Sequence, residues 1–477
     1  MTGLGTTPLE LLHPRGIVRR SIVIGAGCPS ALCPSAGLRA DDVSDCDLVV
    51  VAPSKREARS RRWRRGAARR AADAVATDGL VYLIAPCQGR GALRAALLAA
   101  GLRRGPSFLH VPTFAASGLV VPVERGAAAY ALANLVALPK WKRRLALGII
   151  GSLRLSVLER TIAHVGLVLQ RPGASAPAAW LFDGPTGVVV VRLGWRRCLR
   201  RALVLGFARG HPNPGRVAKI APDDTEASAL RQFAPTAQVA GATVPIPLEI
   251  RELGASRAVV QTAVAGRPAA LILGDDPKQL GPVLDRLTRW LDAWNRRTLR
   301  ETKVGMNCLE REVLAPAAQL SPALRGGQAY VEWLERSCER AVGSRLPLVT
   351  THNDLTMWNV LLIRDRLGIV DWYDARDAGL PLTDYCYALV DAVAASGGYA
   401  DRVAAFERCF SHSNRVSSLA EAFPYLAGTD PVALELCFHA CWVHHALNES
   451  RAEEPGSGGR PFLAIVQSLA ADASRNR

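Results

Sequence analysis

One stretch constrains this chain more than any other: Thr351-His-Asn-Asp-Leu-Thr-Met-Trp-Asn-Val-Leu-Leu, followed by Gly368-Ile-Val-Asp-Trp. Asp354 and Asn359 stand five residues apart on a predicted loop, and Asp371 comes twelve residues further on, past a predicted hairpin that returns the chain to that loop. Apolar runs at 360–363 and 367–370 would hold these groups rigidly. Phosphoryl transfer needs a carboxylate beside the attacking hydroxyl and oxygen donors for a divalent cation that also holds the phosphates. Aspartate, asparagine and aspartate at this spacing supply both.

The first segment resembles the H-x-D-x-x-x-x-N element of the aminoglycoside phosphotransferase/choline kinase family. Ile369-Val-Asp-Trp resembles its metal-binding hydrophobic-Asp-Trp element, and Gly379-Leu-Pro-Leu-Thr-Asp is similar to the G-x-P-x-x-D that follows there. The resemblance implies a protein-kinase-like fold, with ATP (or GTP) and Mg2+ as cofactors. It implies that Asp354 is the base or hydroxyl-orienting group, that Asn359 and Asp371 ligate Mg2+, that His352 braces the loop and that Asp384 is structural. Asn353 stands where the family usually has Gly; no catalytic group is removed, since Asn tolerates unusual backbone angles. An Asp/Asn-rich turn between strands would explain one such motif more readily than three in order.

Upstream, Val217-Ala-Lys-Ile resembles the strand whose Lys contacts the nucleotide α/β phosphates, and Lys219 is one of only six Lys in the chain. Glu226 resembles the helix Glu that pairs with this Lys; a solvated helix Glu is the plainer alternative. Gln261 to Val264 resembles the interlobe hinge whose backbone reads adenine. A clear glycine-rich phosphate loop is missing, and Gly194-Trp-Arg-Arg holds its place. The resemblance covers roughly residues 180–477 and is strongest at 349–384.

The pattern predicts an α/β N-terminal domain plus an α+β protein-kinase-like bilobal domain. Residues 1–170 alternate short apolar runs with helices, the arrangement of a parallel α/β layer; one Arg/Ala-rich helix is predicted over 55–76. Residues 171–179 read as a linker, 180–265 as a β-rich lobe and 266–477 as an α-rich lobe. Ser21-Ile-Val-Ile-Gly-Ala-Gly resembles the first strand and glycine turn of class I methyltransferases. Only about 22 residues separate Gly25 from Asp47, too few for the second and third strands that hold ribose and adenine in that fold. The expectation is a shortened methyltransferase-like domain that does not bind S-adenosylmethionine and that serves docking or oligomerisation.

A formal charge of +17 looks like a nucleic-acid signal until it is divided. The chain has 53 Arg against six Lys, and residues 341–477 hold 11 Arg and 16 acidic residues. The acidic part thus carries the chemistry, which favours a metal–nucleotide site or a cationic substrate over nucleic acid. Eleven scattered Cys, no secretory leader pattern and no long apolar span point to a cytoplasmic protein with reduced thiols. Cys437, Cys441, His444 and His445 share one helical face and read as core rather than as a metal site. The run 55–70 fits a solvated Arg-rich face better than a nucleic-acid contact, and 141–150 fits either a membrane surface or a core helix with a basic end.

These observations predict an ATP- and Mg2+-dependent phosphotransferase acting on a hydroxyl of a small molecule or sugar. A pseudokinase-like nucleotide-binding scaffold is the alternative, against which stand intact Asp354, Asn359, Asp371 and Lys219. A bifunctional methyltransferase–kinase is a second, disfavoured by the missing strands.

Overall fold

The computed structural model describes residues 8–15, 18–29, 32, 44–111, 119–136, 138–152, 164–182, 188–193, 202–208, 210–253, 256–410, 419, 421–451 and 460–475. The chain forms two compact units, one of residues 1–224 and 247–263, the other of residues 225–246 and 264–477. The last division falls between Ala263 and Val264, inside the segment read as a hinge.

The first unit is built on an eleven-stranded sheet. β1 (Ser21–Ile24), β2 (Cys46–Val51) and β3 (Val75–Ile84) pair in parallel. Beyond β3 follow β6 (Val165–Gln170), β4 (Arg103–Val111), β5 (Leu119–Pro122) and β7 (Val188–Leu193), all antiparallel to their neighbours. β8 (Ala202–Phe207), β9 (Arg216–Ala221), β12 (Ser256–Thr262) and β11 (Pro247–Leu253) complete it, again antiparallel. The expected parallel layer therefore holds for three strands only. Parallel neighbours need long crossovers, whereas short connections such as that from β8 to β9 favour antiparallel pairing. β5 pairs with β7 through Leu119↔Arg192 and Val120↔Val191, so the sheet runs on across the segment read as a linker.

The Arg/Ala-rich segment is two helices, Lys55–Arg59 and Arg61–Ala74, parted at Ser60. The Ser60 hydroxyl accepts the Trp63 N–H at 3.2 Å and so starts a new helix. Ala67, Ala68, Ala71 and Ala74 are buried, while Arg61, Arg62, Arg65, Arg69 and Arg70 are exposed, the solvated face expected from the sequence. The glycine turn after β1 is occupied by protein: Gly27 N–H donates to Ala52 O (2.7 Å), and Ala26 N–H to the Glu57 carboxylate (3.2 Å). Gly25 has φ +107°, and a Cβ there would lie 2.5 Å from Ala52 O. The turn needs glycine for close backbone packing, and two of its amides are committed to that packing.

The second unit is mainly helical. In helix Leu280–Thr298, Val283, Leu287, Trp290, Leu291 and Trp294 are buried at helical spacing. Helix Pro431–Ser450 buries Cys437 and Cys441; His445 stacks on Tyr387 with centroids 3.6 Å apart, and the His444 Nε2 lies 3.0 Å from Glu312 O. That face is packing, and no group of three or more His, Cys, Asp or Glu suited to a metal occurs among the described residues. Two small sheets sit among the helices. β10 (Ala242–Thr243), β16 (Arg366–Ile369), β15 (Val360–Ile363) and β13 (Arg267–Pro268) form one, in that order. β14 (Val349–Thr351) and β17 (Arg376–Gly379) form the other.

Candidate active site

The predicted catalytic loop runs between β14 and β15, and the predicted hairpin is β15 with β16, in register Val360↔Ile369 and Leu361↔Gly368. This hairpin brings Asp371 back to the loop. Val370 N–H donates to Asn359 O at 3.0 Å, and Val370 O lies 3.1 Å from the His352 Nε2. A carbonyl can only accept, so Nε2 carries the proton. One residue thus ties together the histidine, the asparagine and the segment leading into Asp371.

The Asn359 side-chain amide donates to the Asp354 carboxylate (3.0 Å) and to Asp354 O (2.8 Å). With its nitrogen committed, the amide oxygen is the end left to serve as a ligand. Burial, then the charges of Asp371 and Asp374, push the Asp354 carboxyl up to about 8, against the lowering by the Asn359 amide. Carboxylates crowded in this way are what a divalent cation neutralises. Asn359 and Asp371 offer a Mg2+ ion two oxygen donors, which fits its habit of taking its remaining ligands from water and phosphate.

Backbone geometry at the loop is unusual in two places. Asn353 has φ +62° and Asp371 φ +70°, the left-handed region in which Asn and Asp are the least penalised side chains. Asn353 thus fills the Gly place of the motif without loss of the turn, and its amide donates to Asp374 O at 2.9 Å. Gly379 is required for a different reason: a Cβ there would lie 2.5 Å from Thr351 Oγ1 across the β14–β17 pair.

Two buried carboxylates of helix Thr383–Ser396 hold the loop from beneath. Asp384 accepts the N–H groups of His352 (2.7 Å) and Asn353 (2.8 Å), one on each oxygen. Burial still pushes its carboxyl up to about 6. Two helical turns on, Asp391 accepts the Met357 N–H at 2.6 Å, the Tyr399 hydroxyl at 3.0 Å and the Arg402 guanidinium at 2.8 Å. Met357 O in turn accepts the Ala270 N–H (2.9 Å). Beneath the loop Trp372 is fully buried, edge-on to His352 (5.0 Å) and to Trp294 (5.5 Å). Sequence reasoning found Asp384 by its motif but missed Asp391, Tyr399 and Arg402, whose only signal is an acidic residue on an apolar helix face.

Asp391→Ala would leave the Met357 N–H without its acceptor and Arg402, whose side chain is 24% exposed, without its counter-charge. The expected cost is about 3–5 kcal/mol of unfolding free energy, measurable by urea denaturation. A loss below about 1 kcal/mol would show that the buried pair does not hold the loop.

The other predicted residues are divided between the units. His352, Asp354, Asn359 and Asp371 come together in the second, which also contains Glu226 and Val264. Glu226 is 4% exposed in the first turn of helix Thr225–Val239, so the solvated reading fails. Lys219 and Gln261 belong to the first unit. Lys219 lies on β9 between Leu203 of β8 and Val259 of β12, and its neighbours Ala218 and Ile220 fill the opposite, buried face. Gln261 is 2% exposed on β12. Gly194-Trp-Arg-Arg lies outside the described residues.

Three solved structures found by comparison are distant from this chain. A thermostable mutant of aminoglycoside phosphotransferase APH(4)-Ia is 16% identical, with 58% of this chain and 91% of that chain covered at a TM-score of 0.38. Macrolide 2'-phosphotransferase MphH from Brachybacterium faecium is 17% identical, with 58% and 89% covered at 0.34. Aminoglycoside phosphotransferase APH(3'')-Id from Streptomyces rimosus is 15% identical, with 50% and 88% covered at 0.34. No curated protein matches in sequence, and no match supports the methyltransferase-like reading of the N-terminal region. The family comparison agrees with the motif at the site: residues 196–414 match the model of the phosphotransferase enzyme family.

Proposed function

We propose that residues 180–477 transfer the γ-phosphoryl group of ATP or GTP, with Mg2+, to a hydroxyl of a small molecule or sugar. The observation that carries this reading is the Asn359–Asp354 hydrogen bond on a loop that Val370 ties to Asp371. Asp354 orients the acceptor hydroxyl and takes its proton as the new P–O bond forms and the bond to the leaving nucleoside diphosphate breaks. Asn359 and Asp371 would hold Mg2+, which would supply neutralisation of the phosphate charge. His352, Asp384 and Asp391 touch no reacting atom and position the loop. Lys219, by its place in the motif, contacts the nucleotide α/β phosphates. Catalysis then rests on positioning and charge rather than on a covalent intermediate.

Purified protein supplied with ATP or GTP, Mg2+ and a panel of hydroxylated acceptors is expected to release nucleoside diphosphate mole for mole with a phosphorylated acceptor, followed by 31P NMR. Failure of both nucleotides to bind in the presence of Mg2+ would overturn the assignment. Binding without turnover on any acceptor would favour the scaffold.

Lys219→Ala is expected to lower kcat/KM about 10- to 100-fold, the worth of a hydrogen bond to a charged group. Lys219 is only half-buried, so the unfolding free energy should move by less than about 0.5 kcal/mol. A purely structural lysine would give the reverse.

A further inference from the structure

Helix Lys140–Ser152 displays apolar surface in an unusual arrangement. Trp141 is 65% exposed, Leu145 59% and Ile149 38%. Successive members lie four residues apart, so the three side chains line one face, each above the last. Single exposed apolar side chains are common on protein surfaces; a Trp–Leu–Ile stripe along one helix is not. This exposure removes the core-helix reading for that face.

The charges beside the stripe have one sign. Lys140, Lys142 and Arg144 are exposed at the amino-terminal end, with the Lys142 ammonium 5.3 Å from the Trp141 ring centroid. The helix contains no Asp or Glu. A nucleic acid would engage the cations but gain little from Leu145 and Ile149. An anionic bilayer surface engages both: headgroups meet the cations, the boundary with the acyl chains takes the aliphatic groups, and Trp favours that boundary. At 13 residues the helix is about 20 Å long, and no helix among the described residues is long and apolar enough to cross a membrane.

We infer that helix Lys140–Ser152 docks the protein on an anionic lipid surface. The helix lies in the plane of the interface, with Trp141, Leu145 and Ile149 inserted and Lys140, Lys142 and Arg144 against the headgroups. This assignment is independent of the phosphotransferase reading, since it uses none of that site's residues.

The test is sedimentation of the full-length protein with vesicles of phosphatidylcholine alone and of phosphatidylcholine mixed with phosphatidylglycerol. Partition to the mixed vesicles is expected to be about tenfold or more stronger than to the neutral ones, and to weaken as salt is raised. The double variant Leu145→Glu with Ile149→Glu is expected to lose about tenfold or more of that partition, and the single variant Leu145→Glu, at a residue 59% exposed, should weaken partition with an unchanged thermal midpoint. Lys140→Glu with Lys142→Glu should abolish the preference for anionic lipid. Absence of wild-type binding, equal binding to both vesicle types, or full binding by the double variants would each overturn the proposal. So would light scattering showing a wild-type dimer that the Leu145/Ile149 variant dissociates without any vesicle binding, because the face would then be a self-interface.

Discussion

Asp354→Asn is expected to lower phosphoryl transfer by about 10²- to 10⁴-fold, the contribution of a positioned general base, while nucleotide still binds. The substitution is selective because of what surrounds the side chain. An Asn at this position retains an oxygen that can accept from the Asn359 amide, so the hydrogen bond at 3.0 Å has a replacement acceptor and the loop keeps its shape. What disappears is the carboxylate that takes the acceptor's proton. The folded state should not suffer, since burial and the charges of Asp371 and Asp374 disfavour the ionised form of Asp354 in the native protein. A neutral amide escapes that penalty, so the thermal midpoint should stay level or rise. Single-turnover kinetics with a Mg2+–nucleotide complex and an accepted acceptor provide the measurement. Normal turnover would assign the base elsewhere.

Asp371→Ala is expected to remove Mg2+-dependent nucleotide binding rather than the chemical step alone. Loss of a partner behind a metal ligand costs about 10- to 100-fold in affinity, so loss of the ligand itself should cost about 100-fold or more. Asp371 sits at φ +70°, where a side chain without local hydrogen bonding is penalised by about 1–2 kcal/mol. Asp371→Asn therefore belongs in the same experiment, since it tolerates that backbone and keeps one oxygen while losing the charge. Calorimetric titration of ATP with and without Mg2+ should give the order wild type, Asn, Ala. The three proteins should bind alike when Mg2+ is absent. Equal Mg2+–ATP affinity in wild type and Asp371→Ala would refute the metal role.

The sequence by itself determined the centre of the site. Asp354 and Asn359 share one short loop and Asp371 follows one hairpin, so their meeting requires only local chain reversal, and the β-branched and apolar runs at 360–363 and 367–370 encode that reversal directly. The motif that contains Asp384 was legible for the same reason. What only the tertiary structure decided depends on pairings between distant parts of the chain. Asp391 is 34 residues from the Met357 N–H that it accepts; nothing local distinguishes it from any acidic residue on a helix until packing leaves it 1% exposed beside Arg402. The direction of strands after β3 was equally hidden, because alternation of polar and apolar residues reports which face of a strand is buried and not which neighbour it takes. The 141–150 segment shows the limit most plainly. An apolar stripe at helical spacing is the same in sequence whether it faces a protein core or a bilayer, and the exposure of Trp141, Leu145 and Ile149 is a property of the folded unit and not of the helix alone.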